Sequence, residues 1–385
     1  MRRAALSVLL VLAAGCAGGP APTKLPTPAP GKAPFSAPPA ANHEIRIALD
    51  TRAAREILAS LSRPRYEATD IKILEDMLPI ELAIRDSGRS EEVFQRDFRA
   101  AFDPETKTAV FDFATIRREK DRWAVLLDAV SSRKEEIESA CARRAASLLP
   151  GDRPISVKLD AFVTFGLAGL ADHMIVTTPD GAPAIIIDLA RVLGETGSDS
   201  DPVKSEVSRL ERLVSGEAYR LAWAAYRGQS AGWKRPLTAL GALEPLVRIT
   251  AEAGPVAVFG IDDSFFPLST WLKEPMQRAM NELNRMSERL VESERELDTR
   301  ISLTAEVKNP DFARRVAAPA GACMEDGILL VFGVDTLRGA LAGGPLAFFR
   351  EYDRATRSDR DLPVLSKAIV ERLHAASAPA APGGN

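Results

Sequence analysis

The sequence predicts an α+β fold that is rich in helix and contains one small sheet. Two patterns support this prediction. Apolar residues recur at helical spacing through most of the chain, whereas only a few short runs alternate or are continuously aliphatic, as strands are. A chain of 385 residues and 41.6 kDa can also bury most of its apolar surface, so we expect folding without disulfides or metal ions.

The predicted elements follow in chain order. A strand at Ile45–Leu49 begins the body, and further strands are predicted at Ile155–Phe165 and, after a turn at Pro179–Gly181, at Ile185–Ile187. The remainder is helical, with predicted helices at Thr51–Leu61, Ile71–Asp86, Ser90–Phe102, Trp123–Leu149, Asp201–Tyr226 and Glu274–Arg300. The last helix carries one apolar stripe that we interpret as core packing, formed by Met276, Met280, Leu283, Leu290 and Leu297.

The first residues have the layout of an export signal. Arg2 and Arg3 precede an apolar stretch, Ala4–Leu12, that is too short to span a bilayer. The following Ala13–Cys16 resembles the lipobox of bacterial lipoproteins. The resemblance implies a signal peptide at residues 1–15, cleavage before Cys16 and a diacylglycerol on its sulfur. Ala17 is not the aspartate that favours inner-membrane retention, so we expect a lipid anchor in the outer membrane.

Composition changes again on both sides of the predicted body. Residues 17–42 contain eight prolines among small residues, which predicts an extended tether between the lipidated Cys16 and a globular domain at 43–374. Residues 375–385 are Ala, Pro and Gly in the main and are predicted to be a disordered tail. Cys141, within a helical pattern, is expected to be a buried small hydrophobe, and spacing alone does not establish a disulfide with Cys323.

Charge and histidine content exclude several functions. Lysine and arginine (50) nearly balance aspartate and glutamate (53) without a long basic run, so we expect no nucleic-acid partner. The whole chain has three histidines, and a catalytic zinc site commonly uses two or three. A zinc enzyme would therefore have to use nearly all of them.

The segment Leu213–Ala222 is close to a zinc-peptidase motif. In H-E-x-x-H, two histidines four residues apart share one helix face and bind zinc, and the glutamate activates the bound water. Here Glu217 occupies the glutamate position and the flanking residues are largely apolar. Gly216 and Arg220 occupy the two histidine positions.

The surroundings of this segment resemble gluzincin-type peptidases. An aliphatic strand, Ile185–Leu189, precedes it, and Glu252 follows Arg220 by 32 residues in a second helical stretch. Further on comes a set of small, Met and aromatic residues: Gly321, Met324, Ile328, Gly333, Leu337, Phe348, Phe349 and Tyr352. Residues 185–355 are thus similar to predicted zinc-dependent peptidases of bacterial envelopes. The resemblance implies a gluzincin-like domain.

The same resemblance assigns roles to four residues. Glu217 matches the general base and Glu252 matches the glutamate ligand, whereas Gly216 and Arg220 match ligands that have been lost. A guanidinium cannot coordinate a metal, and two unit charges at about 4 Å repel by about 4 kcal/mol at an effective dielectric near 20. We therefore expect no bound cofactor, and we expect Arg220 to take the place of the metal and pair with Glu252, with Glu217 as a second candidate partner.

Two other chemistries remain as alternatives. An active zinc hydrolase could use rearranged ligands, such as Glu252, Asp262 or Asp263 with His173, although His173 is better explained as a hydrogen-bonded structural residue. Gly228–Gly232 satisfies G-x-S-x-G, but a nucleophile elbow needs a preceding strand, and the predicted helix there favours a helix stop and loop instead.

The sequence thus predicts a lipid-anchored envelope lipoprotein with a peptidase-like domain and a degenerate zinc motif. Its partners are expected to be the membrane, through Cys16, and a peptide or envelope protein. A binding or scaffolding role is favoured over catalysis. The alternatives are an active zinc-dependent peptidase and a structural lipoprotein unrelated to peptidases.

Overall fold

The computed structural model describes residues 43–103, 110–167, 172–193, 202–259 and 270–376. The predicted signal peptide, the tether with Cys16, residues 377–385 of the predicted tail, and both Asp262 and Asp263 lie outside these ranges. The described chain is mostly helical and has one small mixed sheet, which confirms the predicted α+β class.

The sheet has four strands in the order β1-β2-β4-β3: β1 (Glu44–Asp50), β2 (Ser156–Thr164), β4 (Pro183–Asp188) and β3 (His173–Thr177). The pairs β1–β2 and β2–β4 are parallel, whereas β3 runs antiparallel to β4 at one edge of the sheet. Strand β4 is almost entirely buried, because its aliphatic run at Ile185–Ile187 has no polar alternation and packs on both faces. Gly181, with a φ of 82°, forms the turn from β3 to β4.

The described residues between β1 and β2 form seven helices: α1 (Arg52–Leu61), α2 (Ala68–Glu75), α3 (Leu78–Asp86), α4 (Glu91–Ala100), α5 (Phe113–Arg118), α6 (Lys120–Ser132) and α7 (Lys134–Ala146). Their centre is an aromatic cluster in which the Phe113 ring lies 5.5 Å from Phe94 and 5.2 Å from Phe98. Such edge-to-face contacts add to the burial of the rings. Helices α1 and α7 then pack this layer against β2 and β1.

The elements described after the sheet are helices: α8 (Leu189–Leu193), α9 (Pro202–Gln229), α10 (Ala231–Lys234), α11 (Glu244–Val258), α12 (Thr270–Glu292), α13 (Leu297–Val307), α14 (Pro310–Phe312), α15 (Ala318–Phe332), α16 (Val334–Ala342), α17 (Pro345–Ser358) and α18 (Lys367–Ala375). Short 3-10 segments occupy Thr238–Leu243 and Ser293–Arg295, and a π-helical turn occupies Ala313–Ala317. Helix α9 buries a ladder of stacked rings formed by Tyr219, Trp223 and Tyr226.

Three long helices predicted from sequence are each divided in the structure. Ile71–Asp86 breaks at Met77, whose backbone is extended, because Pro79 is compatible only with the first turn of a new helix. Trp123–Leu149 breaks at Arg133, and Glu274–Arg300 breaks at Glu296. The predicted apolar stripe of the last helix is therefore wrong at Leu297, which begins α13 and is 60% exposed. The other four residues of the stripe are buried.

Cys141 and Cys323 are both buried and are not joined by a disulfide, and burial raises the pKa of Cys141 above its usual range. The expected role of Cys141 as a small core residue is therefore confirmed. His374 lies within α18, on the last turn, where its Nε2 is 4.0 Å from a carboxylate oxygen of Asp353. In the described ranges, no helix combines the length and apolar character required to cross a bilayer.

Candidate functional site

A cavity of about 420 Å³ lies at the carboxyl end of β4. The start of β3, helix α8, the middle of α9 and the end of α11 surround it. The apolar part of the wall consists of Val192, Leu213, Val256 and Phe259, and the polar part of Asp172, His173, Arg191, Arg209, Arg212 and Glu217. Gly216 completes the wall. Of the four residues to which the resemblance assigned roles, Gly216 and Glu217 therefore line the cavity, whereas Arg220 and Glu252 do not.

Gly216 leaves α9 without a side chain where the helix faces the cavity. A Cβ atom added there would meet the Cβ of Phe259 at 3.6 Å, which is an ordinary contact. The Phe259 ring in turn stacks on Tyr219, with centroids 4.1 Å apart. Packing therefore does not require glycine at this position, and its consequence is extra room in the cavity.

Glu217 is held by two donors. Arg220, one turn further along α9, approaches Oε2 with its Nε at 2.6 Å, and His173 from β3 places Nε2 at 3.4 Å from Oε1. Burial raises the pKa of the Glu217 carboxyl, but the hydrogen bonds from His173 and Arg220 outweigh it, so that the pKa lies below its usual value. Glu217 is thus an ionised anchor between α9 and the edge strand.

The expected ion pair between Arg220 and Glu252 is wrong. Among the described residues, Glu252 pairs with Arg227, whose Nη1 lies 2.7 Å from Oε2, and Arg220 pairs with Glu217 instead. Arg220 has an acidic partner on its own helix at a spacing of three residues, which costs little to form. Arg227 lies two turns further along α9 and forms the ion pair with the carboxylate of Glu252.

The expected neighbourhood of the two helices is nevertheless present. The indole Nε1 of Trp223 donates to the backbone carbonyl of Glu252 at 3.0 Å, which fixes α11 beside α9. The side chain of Glu252, however, is oriented by Arg227 rather than by the Gly216 and Arg220 positions. Glu217 and Glu252 therefore belong to two separate ion pairs, with Arg220 and Arg227 respectively.

These residues do not fit a zinc ion. Gly216 has no side-chain donor atom and Arg220 has no lone pair to offer a metal. Within the part of the chain that the structure describes, no three His, Cys, Asp or Glu side chains converge as metal ligands would. His173 contacts Glu217 rather than Glu252, and Asp262 and Asp263 lie outside the described ranges, so the rearranged zinc site stays a prediction.

Several buried polar atoms on α9, α11 and α15 were not identified from the sequence. The hydroxyls of Tyr219 and Thr250 and both carboxyl oxygens of Glu325 are buried and have no hydrogen-bond partner in the described chain. Burial raises the pKa of Glu325 to about 8, so this carboxyl is neutral at pH 7. No local pattern distinguishes Glu325 from a surface glutamate, because its burial results from tertiary packing.

The G-x-S-x-G segment has the structure expected of a helix stop. Helix α9 ends at Gln229, and Ser230 lies buried between it and the short helix α10. No strand of the described chain leads into Ser230, so a nucleophile elbow is not formed. Gly232 serves packing instead, since a Cβ there would meet the carbonyl oxygen of Ala342 at 2.7 Å.

Sequence reasoning missed the arginines of the cavity. Arg209, Arg212 and Gly216 are spaced by three and four residues, so they share one face of a helix, and this signal was available in the sequence. Arg191 comes from α8, and its approach to α9 depends on the fold.

Comparisons of the chain with protein-family models, with curated proteins and with solved structures gave no match. The role of this cavity therefore rests on the geometry of its own residues.

Proposed function

We propose that the protein is a lipid-anchored protein of the bacterial envelope whose peptidase-like domain binds peptides without cleaving them. The observation that carries this proposal is the state of Glu217, which is ion-paired with Arg220 at 2.6 Å and has a lowered pKa. General-base catalysis near neutral pH is most efficient with a base whose pKa is close to 7. A carboxylate held in this way is a weak base.

A gluzincin-like scaffold is part of the proposal. Its support is the position of Glu217 on a long helix beside the helix of Glu252, next to a small sheet. The two positions that match zinc-binding histidines offer no lone pair. We therefore assign the domain a binding role rather than metal-dependent hydrolysis.

The edge strand β3 supplies a surface for an extended peptide. The N–H of Asp188 donates to the carbonyl of Asp172, and that of Thr178 donates to Ala182, so residues of even number in β3 bond to β4. The backbone groups of His173 and Ile175 consequently point away from β4. Open edges of this kind accept extended peptides through main-chain hydrogen bonds.

The tether and the anchor complete the proposal. Cys16 would hold the protein at the membrane, and residues 17–42 would separate the binding domain from it. A peptide or an extended segment of another envelope protein would then be bound close to the membrane surface.

The proposal can be tested with the full chain purified in detergent and mixed with short peptides of varied sequence. We expect peptides to be retained in equilibrium dialysis and recovered intact by mass spectrometry, with or without added zinc. Ile175→Pro removes an outward N–H that β4 does not use, so it should weaken retention while the fold persists. Ile175→Ala, which keeps that N–H, is the matched control.

Two results would contradict the proposal. Zinc-dependent cleavage that disappears in Glu217→Gln would identify an active zinc hydrolase. Absence of peptide retention by a folded protein would favour a structural lipoprotein.

A further inference from the structure

The sheet has two edge strands, and one of them is covered by a helix. Strand β1 bonds to β2 through its residues of even number, since the N–H of Glu44 donates to the carbonyl of Ile155. The N–H of Leu49 therefore points away from β2, and it donates to Oε1 of Glu138 on α7 at 2.7 Å. Helix α7 packs along β1, so β3 is the edge of the described sheet that remains for an extended peptide.

Strand β3 is open over only part of its length. The backbone groups of His173, Ile175 and Thr177 point away from β4, because the residues of even number bond to β4. Among the described residues, no group bonds to the outward backbone of His173 or Ile175. The carbonyl oxygen of Thr177, in contrast, accepts a hydrogen bond from Nη2 of Arg85 at 2.8 Å.

The place of the Arg85 guanidinium follows from the direction of this carbonyl. The carbonyl of Thr177 points outward from the sheet, so a donor 2.8 Å from its oxygen stands outside the edge. Neighbouring strands lie about 4.8 Å apart, and the hydrogen bonds between them fill that space. The guanidinium thus occupies the place that the backbone of an added strand would take beside Thr177.

Arg85 is held in this place by its own helix. It lies in the last turn of α3, and α3 packs against β3. Its Nε donates to Oδ1 of Asp86 at 2.7 Å, while its Nη2 donates to Thr177. Charged side chains at the edge of a sheet commonly prevent the pairing of a further strand. Arg85 therefore closes the end of β3 that lies at Thr177.

From these contacts we infer that Arg85 sets the length of the peptide segment that β3 accepts. Pairing extends from His173 to Ile175, a stretch of about 7 Å at about 3.3 Å per residue. The ligand is therefore a short extended segment whose chain bends away from the sheet before Thr177. The inference rests on the proposed peptide-binding function and adds a length limit and a specificity-determining residue to it.

The test measures how the affinity for a peptide depends on its length. The peptide Thr-Val-Thr-Val is extended by two residues at its N-terminus or at its C-terminus, and binding to the full chain in detergent is measured by equilibrium dialysis. The N-terminal extension reaches Thr177 in an antiparallel complex, and the C-terminal extension reaches it in a parallel complex. We expect the extension that reaches Thr177 to change the affinity of the wild type by less than about twofold, since no backbone hydrogen bond is added.

Arg85→Ala removes the guanidinium and opens the backbone groups of Thr177 to the peptide. In this variant the same extension should strengthen binding by about tenfold, because one or two further backbone hydrogen bonds form. The affinity for the short peptide should not change, which also shows that the exposed substitution preserves the fold. Arg89→Ala, at an exposed arginine that follows α3, is the matched control and should keep the length dependence of the wild type.

The outcomes separate this inference from the proposed function. Equal gains from each extension in the wild type and in Arg85→Ala would overturn the length limit and leave peptide binding in place. Weaker binding of the short peptide by Arg85→Ala would also overturn it, because Arg85 would then contribute to binding instead of limiting it. Failure of every peptide to bind the folded wild type would overturn both.

Discussion

Glu325 is a charged residue type in a position that does not tolerate charge. It lies on α15, fully buried, and its carboxyl oxygens have no hydrogen-bond partner among the described residues. Its pKa of about 8 follows from this burial, with Asp326 adding a smaller effect in the same direction. Protonation therefore lowers the cost of burying the side chain.

The raised pKa of Glu325 predicts that the stability of the folded protein depends on pH. In the unfolded chain the carboxyl titrates near pH 4.5, and in the folded protein near 8, so folding requires proton uptake between these values. The free energy of unfolding should fall by up to about 1.4 kcal/mol per pH unit in this window and level off above pH 8. Urea denaturation of wild type and Glu325→Gln across this range measures the effect.

The variant should be more stable than wild type above pH 8, and the difference should shrink as pH is lowered toward 4.5. Glu288→Gln, at an exposed position of α12, should leave the pH profile unchanged. A constant difference between wild type and Glu325→Gln at every pH would show that Glu325 does not bind a proton on folding.

At the scale of single residues, motif spacing singled out positions of one helix but did not predict all of their contacts. Gly216 and Glu217 were identified from motif spacing, and both lie in the cavity wall. The pair between Glu217 and Arg220 follows from their spacing of three residues in a helix. The contact of Glu217 with His173 joins α9 to the edge strand, and the pair between Arg227 and Glu252 joins two helices. Spacing carries no information about such tertiary contacts.

At the scale of the elements, α11 and α15 pack closely against each other through two glycines. A Cβ on Gly254 would lie 2.6 Å from the backbone carbon of Gly321, and one on Gly321 would lie 2.5 Å from the carbonyl oxygen of Thr250. Both clashes are with backbone, which cannot yield without moving a helix. This contact also holds α11, and with it Val256 and Phe259, against the rest of the core.

Gly254→Ala should therefore destabilise the protein, by about 1–3 kcal/mol as is typical of overpacking. The matched substitution Gly339→Ala, in α16, places its Cβ where no atom lies within 4 Å. It should be neutral or stabilising by up to about 1 kcal/mol, since alanine favours helix over glycine. Urea unfolding of both variants checks the contrast, and equal effects would argue against the close contact.

The helices and the strands β1, β2 and β4 were predictable from periodicity, whereas the boundaries of the elements and the strand β3 were not. β1, β2 and β4 were all anticipated from alternating or aliphatic runs. β3 is only five residues long, and its burial pattern has a single fully buried position, so no clear alternation marks it. The break at Met77 was signalled by Pro79, but the break at Arg133 has no such residue.

At the scale of the whole molecule, the predicted lipid anchor would decide where the proposed binding surface acts. Cys16→Ser should abolish incorporation of radiolabelled palmitate in cells that express the full chain. Cys141→Ser should keep full labelling, because the Cys141 thiol is buried in α7 and its pKa is raised. Labelling that persists in Cys16→Ser would place the lipid on another residue, and absence of labelling in the wild type would exclude the anchor.

The parallel pairing of β1 with β2 has a consequence for the timing of maturation. Glu44 and Ser156 are register partners although 112 residues separate them. The entropy cost of closing so long a loop comes before the pairing of β1 with β2 can stabilise the chain. Contacts between residues that are distant in sequence also slow folding. A chain that emerges with its N-terminus first keeps β1 without its partner until β2 has followed, and the edge strand is completed later still. The delay between synthesis and completion of the sheet, rather than the equilibrium stability of the sheet, would then determine when a newly made molecule can offer β3 to a peptide.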